Sequence, residues 1–292
     1  MAPLDTGLDP STAPDVALRH IVAACHADLV RYRTVVLTSR RPVGIHQARV
    51  ALRRLRAAFG LFRHAVDGPV VRALGAEAKW LAGECGPSRD LHVFLTETAS
   101  EVPPLVQRVA RRLANLHLER ARTALESARF DGFDRQLHAF LDLSPAHPSD
   151  RLDEFARQAL DLRHDKVLRH GRKIGSLGAK GLHRLRISIK KLRYAAEFLQ
   201  PAFASPAAKP YIEATARLQG ALGALNDRTV ARHVLADIAT AARPTEDVAP
   251  ALKQLAREAD AGDKRRRRKI EAAWKTFRKA ERFWHAGAAN RS

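Results

Sequence analysis

The chain has 292 residues, 46% of them hydrophobic, enough to bury a core in one large domain or two of ordinary size, and this excludes a disordered polycation. Lys and Arg number 51 against 31 Asp and Glu, a formal net charge of +20. That charge opposes folding through self-repulsion and exceeds what solubility requires, so a polyanionic partner is the first expectation.

Two cysteines, Cys25 and Cys85, lack metal-type spacing and make no disulfide framework. No apolar run approaches membrane-spanning length, and the opening MAPLDTGLDPSTAPD is acidic and Pro-rich, unlike a signal peptide. A soluble cytoplasmic protein that does not engage a membrane is expected.

In chain order, residues 1–12 read as a disordered lead. Apolar spacing of three and four, punctuated by proline and glycine, then predicts helices near 15–40, 45–66, 70–85, 89–100 and 105–128. After a Pro-rich break at 144–150, further helices are expected near 151–174, 182–200, 207–223, 227–242 and 248–285. Sustained period-two alternation is missing, so no strand is expected and the fold class is all-α.

A constant shift of 137 residues relates the two halves. It carries GIHQARVALRRLR, residues 44–56, onto GLHRLRISIKKLR, residues 181–193, and it aligns Leu81 with Leu218, Gly86 with Gly223 and Asp90 with Asp227. A shift held without net insertion from 44 to 93 argues for duplication. The economical architecture is two antiparallel helical bundles of four to five helices, residues 13–143 and 150–286, with approximate two-fold symmetry.

On a helix of about 100° per residue, His46, Arg49, Arg53 and Arg56 fall within about 80° of one another, apart from the apolar face of Ala48, Leu52, Leu55 and Phe59. His183, Arg186, Lys190 and Arg193 repeat that stripe, with Arg54 and Lys191 to one side in each copy. Like charges at such spacing repel by a few tenths of a kcal/mol per pair, so helix formation does not account for them, whereas a bound anion does. For any single arginine, a solvated face is the simpler reading, and it loses ground when the whole arrangement recurs.

Neither stripe histidine has a second ligand at metal spacing on its helix, and cationic neighbours repel an ion, so no metal site is expected. No carboxylate is seen to orient either ring for acid–base work. Cationic neighbours should lower both histidine pKa values, and a bound polyanion should raise them.

The motifs HQARVALRRLR, GPSRDLHV, LHRLRISIKKLRYAAEFL and LQGALGALNDRTV, in that order, resemble the CHAD family, the conserved histidine α-helical domains. The resemblance spans roughly residues 15–285. It implies two helical bundles about a pseudo-two-fold axis and a basic groove or pore between them. The implied function is non-catalytic binding of inorganic polyphosphate without a cofactor, often on polyphosphate granules.

The phosphate contacts it implies are His46, Arg49, Arg53 and Arg56, then His183, Arg186, Lys190 and Arg193, with Arg54 and Lys191 as the flanking basic pair. Sulfate or phosphate ions would take the same positions. Arg89 matches the family's RD motif, but Asn226 replaces it in the second half. Asp90 and Asp227 read as orienting basic side chains or capping helices, and Glu197 as pairing with Arg193, where Gly60 stands in the first half. No triphosphate-tunnel motif is present, so a stand-alone, non-enzymatic domain is implied.

GRKIGSLGAKG, residues 171–181, lacks the strand and the Gly-Lys-Ser/Thr ending of a phosphate loop and reads as a break between helices. Arg169 and Lys173 beside it, and the KRRRRK run at 264–269, could extend the basic surface, though the run points all round its helix. Trp274, Phe277 and Trp284 read as core anchors. A non-specific nucleic-acid binder is the competing function. Against it, aromatics make up 6% of the chain and do not interleave with the stripes. A histidine-dependent phosphatase or phosphotransferase is the third reading and lacks a recognisable acid–base pair, nucleophile motif or metal cluster.

Overall fold

The computed structural model describes residues 7–66, 68–97, 102–144, 150–260 and 263–285, without the side chains of 97, 224–229, 258–260 and 263–264. The expectations for Asn226 and Asp227, and for Lys264 in the basic run, therefore lie outside the described residues. Those described form eleven α-helices and no strand. They are α1 Pro14–Thr38, α2 Pro42–Phe62, α3 Pro69–Glu84, α4 Gly86–Glu97, α5 Pro104–Leu125, α6 Ala128–Leu141, α7 Leu152–Gly171, α8 Ala179–Leu199, α9 Ala208–Ala241, α10 Ala249–Asp260 and α11 Asp263–Lys279. None is long and apolar enough to cross a membrane.

The prolines that punctuate the sequence open helices. Pro14, Pro42, Pro69 and Pro104 each begin one, where the missing N–H is not needed and φ is already helical. The segment 171–181 is the expected break, holding only a short 3₁₀ turn at Ile174–Ser176 between α7 and α8.

Three expectations are corrected. Residues 8–12 are not a disordered lead: Leu8 is 7% exposed within the core, the Asp9 carboxylate accepts from the backbone of Ser11 and Thr12, and the Pro10 carbonyl accepts from the Asp153 amide. Helix α6 stands where the apolar spacing predicts none, because Gly132 and four charged residues, Arg129, Asp131, Asp134 and Arg135, dilute its periodicity. Its signals are the Ser127 hydroxyl, which accepts from the Phe130 amide, and the buried Phe130, Phe133, Leu137 and Phe140. The two helices expected at 207–223 and 227–242 are one helix, α9. In the first half Pro87 falls at the matching break between α3 and α4; Ala224 stands there in the second half, so the amide that Pro87 lacks is present and the helix continues.

The 137-residue shift extends to helix bounds. Applied to α2 it returns the bounds of α8, and α5 and α6 correspond in order to α10 and α11. The main hydrophobic core runs continuously from α1, α2, α3 and α6 into α7, α8, α9 and α11. A second cluster joins Leu91, Phe94, Val106 and Val109 of α4 and α5 to Val234, Ile238, Leu252 and Leu255 of α9 and α10. Both cores thus cross between the halves. Trp274, Phe277 and Trp284 are buried anchors, with Trp274 against Gly171 so closely that a Cβ there would lie 2.2 Å from the indole. The consequence for the basic stripes is direct: α2 and α8, the two helices that carry them, pack against each other.

Candidate functional site

Helix α2 is buried on its Ala48, Leu52, Leu55 and Phe59 side, which turns the stripe outward: Arg53 and Arg56 are exposed, and His46 and Arg49 half-buried. Helix α8 repeats this, with Leu185, Ile189, Leu192 and Leu199 in the core, His183 exposed, and Arg186, Lys190 and Arg193 half-buried.

The stripes meet at Lys190. Burial, and then the charges of Arg186, of Arg53 and Arg56 on α2, and of Lys191, hold its ammonium below the ordinary lysine pKa. Side chains about 130 residues apart in sequence therefore form one cationic surface.

Several groups fix that surface. Arg49 donates from Nη1 to the Ala82 carbonyl at 3.0 Å and lies 4.0 Å from Asp90, as expected for an aspartate that orients a basic side chain. The guanidinium passes so close to Gly86 that a Cβ there would stand 2.8 Å from Nη1. Arg193 pairs with Glu197 at 3.4 Å, the expected i,i+4 contact, and burial raises the Glu197 pKa against the opposing pull of Arg193 and Arg54. The Arg193 contact runs from its Nε, and the Nε of Arg186 is buried without a hydrogen-bond partner among the described residues.

Two site residues differ from the sequence reading. Arg54 is no surface contact: it is 5% exposed and its Nη1 lies 3.9 Å from Asp28 of α1. At about 80° from His46 it turns off the stripe into the α1–α2 interface, where a buried guanidinium needs a carboxylate. Lys191, at the same offset on α8, is exposed, so the flanking pair splits between core and surface. Arg89, by contrast, joins the site. Helix α4 brings it within electrostatic reach of His46, whose pKa is lowered first by burial and then by Arg89, Arg53 and Arg49. The RD motif carried that signal, but its lack of a second-half counterpart obscured it.

Arg169 and Lys173 are exposed on and just after α7, and Arg265–Lys269 lie on α11 with Arg267 donating to the carbonyls of Gly175 and Leu177. Arg267 is thereby tied to the α7–α8 connection. Burial raises the Cys25 and Cys85 thiols to about 12, so neither is a thiolate at neutral pH.

The CHAD domain profile matches residues 20–236. The crystal structure of the CHAD domain from the plant Ricinus communis superposes with a TM-score of 0.82 at 27% identity, over 97% of this chain and 98% of that one. PptA from Streptomyces chartreusis shares the fold more distantly, with a TM-score of 0.58 at 20% identity over 92% and 99%. Among curated proteins, none matches this sequence. A profile match over most of the chain, on the two helices that carry its duplicated basic stripes, places this protein in the CHAD family.

Proposed function

We propose that the chain is a non-catalytic binding protein for inorganic polyphosphate, which lies in a basic groove along α2 and α8 and neutralises both stripes at once. The observation that carries this reading is the crowding of Lys190 by Arg53 and Arg56 from the other half. Like charges held together at a cost to stability are accounted for by a ligand of opposite charge. Polyphosphate repeats its charge over a short distance and carries no bases, so it needs no stacking platform. The guanidinium groups of Arg53 and Arg56, exposed on α2, present donors that suit its phosphate oxygens.

Among the described residues, the charges that shift His46 are those of Arg89, Arg53 and Arg49, all cationic, which suits an anion donor better than a proton relay. Both thiols are protonated at neutral pH. These features favour binding over turnover. Cytoplasmic polyphosphate granules are the setting proposed for it.

The test is a titration of the wild type with long-chain polyphosphate beside a variant neutralised at Arg53, Arg56, Lys190 and Arg193. If the four contact phosphates, the salt slope of log K flattens by about 3, taking roughly 0.7 per contact as for single-stranded nucleic acids. An unchanged slope refutes the site. Duplex DNA competing at equal phosphate concentration would favour the nucleic-acid reading, and shortening of the chains during incubation would favour an enzyme.

A further inference from the structure

A cluster unrelated to the basic stripes joins α1 to α6. His26, 7% exposed on α1, places Nε2 2.6 Å from Oδ1 of Asp134 on α6. His138, one turn further along α6, sets its ring edge-on to that of His26 with centroids 4.7 Å apart, and its Nδ1 lies 3.6 Å from Oδ2 of Asp134. One candidate ligand atom from each residue lies within 4.8 Å of the other two.

The arrangement is built by the fold. Asp134 and His138 are four residues apart on one face of α6. That helix is fixed by the Ser127 cap and by Phe130, Phe133, Leu137 and Phe140 in the core.

We propose that His26, Asp134 and His138 bind one divalent transition-metal ion, with zinc the best chemical match. Two imidazoles and a carboxylate suit zinc, and three protein ligands leave a fourth position for water. Zinc bonds of about 2.0–2.1 Å in a tetrahedron set donor atoms about 3.3 Å apart, a spacing that the cluster reaches with small side-chain movements. The His26–Asp134 contact must open from its hydrogen-bonded 2.6 Å, which the metal does by replacing the proton between them.

His138 supplies the entry path, since its side chain is 60% exposed while His26 stays buried; its Nδ1 donates to the Asp134 carbonyl at 3.0 Å, a contact that a metal bound through Nδ1 must replace. Magnesium fits poorly, because it prefers an octahedral shell of oxygens. The competing reading is a plain hydrogen bond that ties α1 to α6 and needs no ion.

Calorimetric titration of untagged, EDTA-treated full-length protein with zinc chloride tests this, alongside cobalt(II) absorption and thermal unfolding. The wild type should take up one zinc per chain, show the visible band of four-coordinate cobalt and unfold at higher temperature with zinc. His138→Ala removes only an exposed side chain, so it should unfold normally without metal, lose the cobalt band and bind zinc about tenfold or more weakly. Asp134→Asn keeps a hydrogen-bonding group but not the charged ligand and should also lose the band. It decides the matter if His138→Ala is destabilised. No zinc uptake by the wild type, or equal uptake by wild type and both variants, overturns the proposal.

Discussion

Replacing Lys190 with methionine should make the protein more stable while weakening its hold on polyanions. Methionine keeps the length and helix propensity of lysine and removes only the ammonium. Four cationic neighbours, Arg186, Arg53, Arg56 and Lys191, oppose that charge, and burial opposes it further. At a few tenths of a kcal/mol per like-charged pair, the four together cost about 1–2 kcal/mol at low ionic strength. A gain of that size raises Tm by roughly 2–4 °C per kcal/mol for a chain of this class. Thermal unfolding at about 20 mM and 500 mM salt measures it; the gain should shrink at the higher salt, where charges about a Debye length apart are screened. A variant that unfolds at or below the wild-type temperature in low salt would refute the claim that the two stripes converge. A gain identical at both salts would assign the effect to packing.

Three other outcomes are expected. Polyphosphate binding should tighten as pH falls: His46 starts below its ordinary value of 6.5 and a bound polyanion raises it, so binding takes up a proton and the dependence continues below that value until the free histidine is itself protonated. His46→Ala should reduce that dependence in a pH series of titrations. Gly86→Ala should displace the Arg49 guanidinium, the flexible end of a side chain, and so lower polyphosphate affinity severalfold with little change in Tm. The Glu246 carboxylate is held at about 2 by its two-pronged contact with Arg112, at 2.8 and 3.0 Å, and by the Arg243 amide. A carboxylate lowered on folding stabilises above its unfolded value of 4.5 and loses that effect as pH falls toward 2, so Glu246→Gln should flatten this part of the acid-denaturation curve.

The sequence by itself determined what depends on neighbours along the chain. Apolar periodicity and proline placement specify most of the helices, and the 137-residue shift specifies which two are copies. The angular spread of His46, Arg49, Arg53 and Arg56 specifies that their charges share a face, because about 100° per residue is a property of any helix. The resemblance to the CHAD family, legible in four motifs, is upheld by the profile and the plant structure.

Only the tertiary structure decided which side of a helix meets another helix. Arg54 and Lys191 occupy equivalent positions, yet one is buried beside Asp28 and the other is exposed, because α1 covers that flank of α2. Arg89 reaches His46, and His26 reaches Asp134 across 108 residues, through packing that no local pattern encodes. Even α9 depended on a contrast between copies, since it is the absence of a second Pro87 that lets the helix run on. Local sequence fixes the direction of a side chain from its own axis; its partners depend on how the axes are arranged, and that is set by burying both cores at once.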